Sequence, residues 1–114
     1  MKLKTLTAMV LVPLALWSGC RGPDCQSTCH RLYDDGQCNI PTPGRDMEDA
    51  FSDCVNECEY ALSRTGEMGD YNPDEQNTSG TSPVLENEVQ AAAWMDCIVE
   101  TACEDIDAGY CAPT

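Results

Sequence analysis

Four cysteines narrow the possible folds of this chain most sharply: Cys25 with Cys29, and Cys54 with Cys58, two pairs at the same four-residue spacing. The second pair lies in an acidic stretch from Pro43 to Arg64, where Met47, Ala50, Phe51, Cys54, Val55, Cys58, Ala61 and Leu62 recur at steps of three and four. That period marks a helix with one buried stripe. Thr42 reads as its N-cap, Pro43 as its first residue and Gly66 as its stop, with Asp46, Glu48 and Asp49 near the positive end of the dipole. The first pair precedes Leu32 and Tyr33 in a shorter helix over about 24–35, capped by Asp24 and stopped by Gly36. Cysteines four apart on a helix sit one turn apart on one face, so each pair forms a ladder. Two ladders on consecutive antiparallel helices predict the bridges Cys25–Cys58 and Cys29–Cys54. Closure within one Cys-x-x-x-Cys is the rival, and helical geometry points the Cβ vectors poorly for it.

The rest of the chain predicts less. Residues 66–83 are polar and glycine-bearing without a period, which reads as a long loop. Ser82 and Pro83 then open a third helix over 83–100, its stripe formed by Leu85, Val89, Ala92, Met95 and Val99 and widened by Trp94, Cys97 and Ile98. A short turn follows from Thr101 to Asp107, ended by Gly109. On one continuous helix Cys97 and Cys103 face different ways, which favours Cys38–Cys97 and Cys103–Cys111 among the three possible pairings. The expected class is all-α: a disulfide-stapled hairpin with a third, C-terminal helix and a long polar loop.

The N-terminus is of another kind. Lys2 and Lys4 precede a short apolar run from Leu6 to Trp17, interrupted by Pro13 and closed by Ser18-Gly19-Cys20. The run is too short to span a bilayer stably and reads as an export signal. Its end resembles the lipobox of bacterial lipoproteins, in which small residues precede a cysteine. That resemblance covers the first 20 residues. It implies removal of residues 1–19, a diacylglycerol thioether on Cys20 and, usually, an acylated (palmitate-type) amine. Residues 20–23 then form a short tether and 24–114 a cysteine-rich domain held close to the membrane. Arg21 in place of Asp after the lipidated cysteine resembles lipoproteins sorted to the outer membrane.

Cysteine parity points the same way. Nine cysteines would leave one stray thiol in an exported protein, and assigning Cys20 to lipid leaves eight for four bridges. The charge sharpens with it. Loss of residues 1–19 removes two lysines and no acid, so a net charge of −14 becomes −16. Such a surface lacks the basic patches that phosphate binding requires, which argues against nucleic acid as a partner.

Several constellations suggest chemistry. Cys25-x-x-x-Cys29-His30 resembles a lengthened haem-attachment motif, with Met47, Met68 or Met95 as a possible second ligand; the twin cysteine pair offers disulfides as the plainer use. Zinc is disfavoured because exported cysteines oxidise. Asp70, Asn72, Asp74 and Glu75 resemble the opening of a calcium loop, although Glu75 and Thr81 stand where an EF-hand has Gly and Glu. Trp94, Met95 and Tyr71 are candidates to line a groove. Catalysis is not expected, since the cysteines are committed to bridges and His30 stands outside any nucleophilic motif. Cofactors beyond the covalent lipid are not expected.

Residues 25–58 also resemble the coiled-coil-helix proteins and small chaperones of the mitochondrial intermembrane space, a likeness of hairpin geometry that does not carry the chaperone role. The whole chain resembles the small cysteine-rich lipoproteins of unassigned function of gliding deltaproteobacteria. The expected function is that of a lipid-anchored module of the bacterial envelope, which presents an acidic helical surface and the 66–83 loop to a protein or polysaccharide partner. Carriage of calcium or haem, or a purely structural envelope role, are the alternatives.

Overall fold

A computed structural model describes residues 22–79 and 83–112. The leader, Cys20 and the N-cap expected at Ser82 lie outside the described residues. The described chain is all-α, with α1 at Cys25–Tyr33, α2 at Met47–Leu62, α3 at Glu88–Glu100 and α4 at Cys103–Asp107. Among the described residues there is no strand, and no helix is long and apolar enough to cross a membrane.

Helix α1 begins where the sequence places it. Asp24 accepts from the Ser27 amide while the Ser27 hydroxyl accepts from the Asp24 amide, a reciprocal capping box. Helix α2 begins four residues later than Pro43. Pro43 and Gly44 occupy the middle of a turn closed by the Arg45 amide on the Thr42 carbonyl at 3.0 Å, and Gly44 takes φ +78. Proline followed by a left-handed glycine is the signature of a type II turn, so the chain cannot enter the helix until Asp46 caps it. Gly66 does not act as a helix stop. A Cβ there would lie 2.6 Å from the Asn87 amide group, so this glycine permits close approach of two segments.

Helix α3 likewise starts later than Pro83. Residues 83–86 run without helical structure and insert Leu85 into the core, and Asn87 caps the helix by accepting from the Val89 and Gln90 amides.

The three long helices form a bundle. Bridges Cys25–Cys58 and Cys29–Cys54 fix α1 antiparallel to α2, as the ladders predict. The Glu88 amide donates to the Arg64 carbonyl at 2.8 Å, joining the start of α3 to the end of α2. Arg31, near the end of α1, donates from Nε to the Ile98 carbonyl at 2.7 Å and from Nη2 to the Thr101 carbonyl at 2.6 Å, filling acceptors that the end of α3 leaves unpaired. Helices α1 and α3 therefore run parallel, with α2 antiparallel to both. Leu32, Ile98, Ile106 and the sulfurs of Cys29, Cys58 and Cys111 fill the fully buried core.

The other two bridges correct the expected Cys38–Cys97 and Cys103–Cys111. Cys38 pairs with Cys103, and Cys97 with Cys111. Only one continuous helix through 97–103 would turn Cys97 and Cys103 apart. In fact α3 ends at Glu100, Thr101 is extended (φ −104, ψ 141), and Cys103 opens a new helix aimed at Cys38. The tail then doubles back. Gly109 takes φ +115, and a Cβ there would meet the Asn77 carbonyl oxygen at 2.5 Å; Cys111 takes φ +60 and reaches Cys97. The Thr101 hydroxyl lies 3.5 Å and 3.3 Å from the two sulfurs of that bridge.

Candidate functional site

The long loop is built into the fold rather than hung from it. At its start, Asn87 Nδ2 donates to the Glu67 carbonyl and Gln90 Nε2 to the Met68 carbonyl, each at 2.9 Å. At its far side, the Asn77 amide donates to the Gly109 carbonyl at 2.9 Å, Gln76 Nε2 to the Ala108 carbonyl at 2.8 Å, and the Cys111 amide to the Pro73 carbonyl at 3.0 Å. Asn87 and Gln90 are themselves buried. Buried amide side chains satisfying loop carbonyls let a polar segment pack without orphaned backbone groups. The Gln90 carbonyl oxygen also accepts from the Glu86 amide at 2.9 Å, so one side chain holds both walls.

Between those walls lies an open groove of about 870 Å³. Glu67, Asp70, Tyr71, Asn72, Glu75 and Gln76 line one side, Pro83, Val84, Glu86 and Gln90 the other, and among the described residues that line it none is basic. Four carboxylates around a concave surface focus a negative potential there, which attracts cations from solution. Tyr71 supplies the aromatic wall. Its hydroxyl is shut off from solvent and has no hydrogen-bond partner among the described residues. Burial first, and the Asp74 charge second, push its pKa well above the ordinary tyrosine value.

No protein-family model, curated protein or solved structure matches the chain. The site therefore stands on its own geometry.

Of the residues singled out in the sequence as calcium ligands, Asp70, Asn72 and Glu75 line this groove, whereas Asp74 lines a neighbouring depression with Pro73, Cys97 and Tyr110. Asn72 Oδ1 is engaged by the Asp74 amide at 3.0 Å, and the Glu75 amide donates to the Asn72 carbonyl at 3.2 Å. Among the described residues no group of three or more His, Cys, Asp or Glu side chains is placed to hold a metal ion. Cys25 and Cys29, the cysteines of the haem-like motif, are each bonded to another sulfur, which leaves neither free to form a thioether. His30 packs its ring 4.5 Å from that of Phe51 and places Nδ1 3.1 Å from Asp34. The three groove candidates part company. Tyr71 lines the acidic groove; Trp94 and Met95 are core residues.

A smaller cavity of about 70 Å³ lies against α2 between Tyr33, Arg45, Asp53, Glu57 and Trp94. Arg45 pairs with Asp53 at its rim. The Tyr33 pKa is raised by burial, opposed by Arg45 and reinforced by Glu57. The Trp94 indole nitrogen is buried without a partner among the described residues.

Glu67, Glu86, Asn87 and Gln90 were not among the residues the sequence pointed to. Their signal was nonetheless present: Asn87-x-x-Gln90, a cap residue followed by an amide at the third helical position, directly before an apolar helical run.

Proposed function

We propose that this chain is an exported lipoprotein, anchored through acyl chains on Cys20, that presents its acidic groove to a cationic segment of an envelope protein. The observation that carries the reading is the closure of the cysteines. Eight of nine are bonded to one another, so Cys20 has no partner left within the chain, and it is the residue that the lipobox-like sequence marks for lipid. Two or three acyl chains, each contributing about 0.8 kcal/mol per buried methylene, anchor a domain stably where one chain is marginal. Arg21 next to Cys20 favours the outer membrane as the destination.

The interaction half of the proposal rests on the groove. A partner's lysine or arginine side chains complement Glu67, Asp70, Glu75 and Glu86, and Tyr71 offers an aromatic surface beside them. The charge that attracts such a segment also disfavours acidic polysaccharides. The test is photo-crosslinking in the native envelope from a benzophenone residue replacing Gln76. The expected result is a discrete adduct that fades with added salt and with the double variant Glu75→Lys/Glu86→Lys. An adduct indifferent to both would remove the groove from the account.

A further inference from the structure

The bundle has two ends, and they differ. At one end meet the start of α1, the end of α2 and the start of α3, joined by Cys25–Cys58 and by the Glu88 amide on the Arg64 carbonyl. The opposite end gathers the end of α1, the end of α3 and the bridges Cys38–Cys103 and Cys97–Cys111. Of the five large apolar side chains exposed among the described residues, four belong to the first end: Tyr60 (60%), Leu62 (40%), Val84 (69%) and Val89 (41%). Val99 alone belongs to the other. Tyr60 and Val84 share one groove with Arg64, whose guanidinium lies 5.2 Å from the Tyr60 ring centre and donates to the Tyr60 hydroxyl at 2.9 Å. Among the described residues Arg64 has no carboxylate within ion-pair distance, unlike Arg45.

We infer that this end is the face that rests on the lipid bilayer, with Tyr60, Leu62 and Val84 entering the headgroup layer. The inference builds on the lipid anchor proposed above for Cys20. The anchor would lie only five residues before Cys25, and five extended residues span at most about 18 Å. Cys25, level with Cys58 near the end of α2, is where the chain enters the bundle from the anchor. The short tether therefore leads straight into the apolar end and holds that end next to the acyl chains, whereas the opposite end lies a further α1 length, about 13 Å, away. A tyrosine with an apolar body and polar tip suits the bilayer interface, and an arginine there extends its charge to lipid phosphates. Glu59 and Glu88 flank the same end, so the surface that fits is zwitterionic, and phosphatidylethanolamine offers ammonium groups to those carboxylates.

The full, processed chain tests this. Variants Tyr60→Trp and Val99→Trp are purified, their acylation at Cys20 is checked by intact mass, and each is reconstituted in phosphatidylethanolamine/phosphatidylcholine vesicles with acyl chains brominated near the headgroup. Both variants retain the buried Trp94 as a common background. The expected result is bromine quenching of the Tyr60→Trp emission with none for Val99→Trp, and a loss of that quenching when Leu62→Asp and Val84→Asp are added although the acyl chains keep the protein on the vesicle. Replacing part of the phosphatidylethanolamine with phosphatidylglycerol weakens the quenching. Acylated, vesicle-bound protein with equal quenching at both positions, or none at either, overturns the membrane face and leaves the anchor standing. A chain without lipid on Cys20 overturns both.

Discussion

The hairpin of α1 and α2 and the remainder of the domain are held together by different means. The hairpin is closed by two staples between neighbouring helices, with sequence separations of 33 and 25 residues. The second half uses buried amide side chains that reach across 20 and 22 residues to loop carbonyls, and a bridge inside its own tail. Only Cys38–Cys103, separated by 65 residues, joins the halves covalently among the four bridges. A small, strongly acidic chain with a thin core can therefore rely on disulfides for its architecture, while the surface that bears the groove depends on hydrogen bonds. Those are stabilisers of different size, and mutation should separate them.

The largest effect belongs to the link between halves. Removing it with Cys38→Ser/Cys103→Ser should destabilise the domain by about 4 kcal/mol, from the loop-closure entropy of a long crosslink. The tail bridge, Cys97→Ser/Cys111→Ser, closes 14 residues and should cost about 3 kcal/mol. Urea unfolding monitored by helical circular dichroism measures both, and the reverse order would break the two-halves description.

Next comes Asn87→Ala. It removes the cap of α3 and the donor to Glu67 together, an expected loss of roughly 2 kcal/mol. Hydrogen exchange should accelerate in residues 67–77 while α1 and α2 stay protected. Uniform acceleration would mean that the halves are one cooperative unit. Asp24→Ala is the matching change in the hairpin. Loss of its capping box should cost about 1 kcal/mol and fray only the first turn of α1.

The legibility of the sequence follows the same division. The ladders of α1 and α2 could be read because a four-residue spacing on a helix is a local property, and a wrong helix start by four residues leaves the facing unchanged. The turn at Pro43-Gly44 was open to the same kind of reading, since that dipeptide specifies type II geometry. The tail bridges were not legible. Their pairing turns on the break at Thr101 and the reversal at Gly109 and Cys111, and no period in the sequence marks either. The acidic groove was half legible: Asp70, Asn72 and Glu75 stood out as oxygen donors, but Glu86 and Gln90 lie across a loop whose path is set by buried contacts of Pro73, Asn87 and Gln90. Polar composition read as looseness because composition carries no record of which backbone groups are satisfied.

The smallest effect is a dependence on pH. A folded-state pKa raised above the unfolded value means that Tyr71 favours folding by its neutral form. Stability is full below about pH 10, the unfolded tyrosine value, and falls as pH rises above it. Tyr33 acts in the same direction. Tyr71→Phe removes a buried hydroxyl that has no partner among the described residues, so it should be near neutral at pH 7 and should lessen the alkaline loss. Thermal melts at pH 7 and pH 10.5 compare the two proteins, and an equal alkaline loss in both would assign the effect elsewhere.

The most direct test of the cysteine closure on which the account rests is mass spectrometry of the protein taken from native membranes, intact and as unreduced peptides. The account predicts no alkylation before reduction, eight alkyl groups after it, linked peptides containing Cys38 with Cys103 and Cys97 with Cys111, and acyl mass on the peptide that begins at Cys20. A free thiol among the eight, or a Cys20 bonded to sulfur instead of lipid, would contradict it.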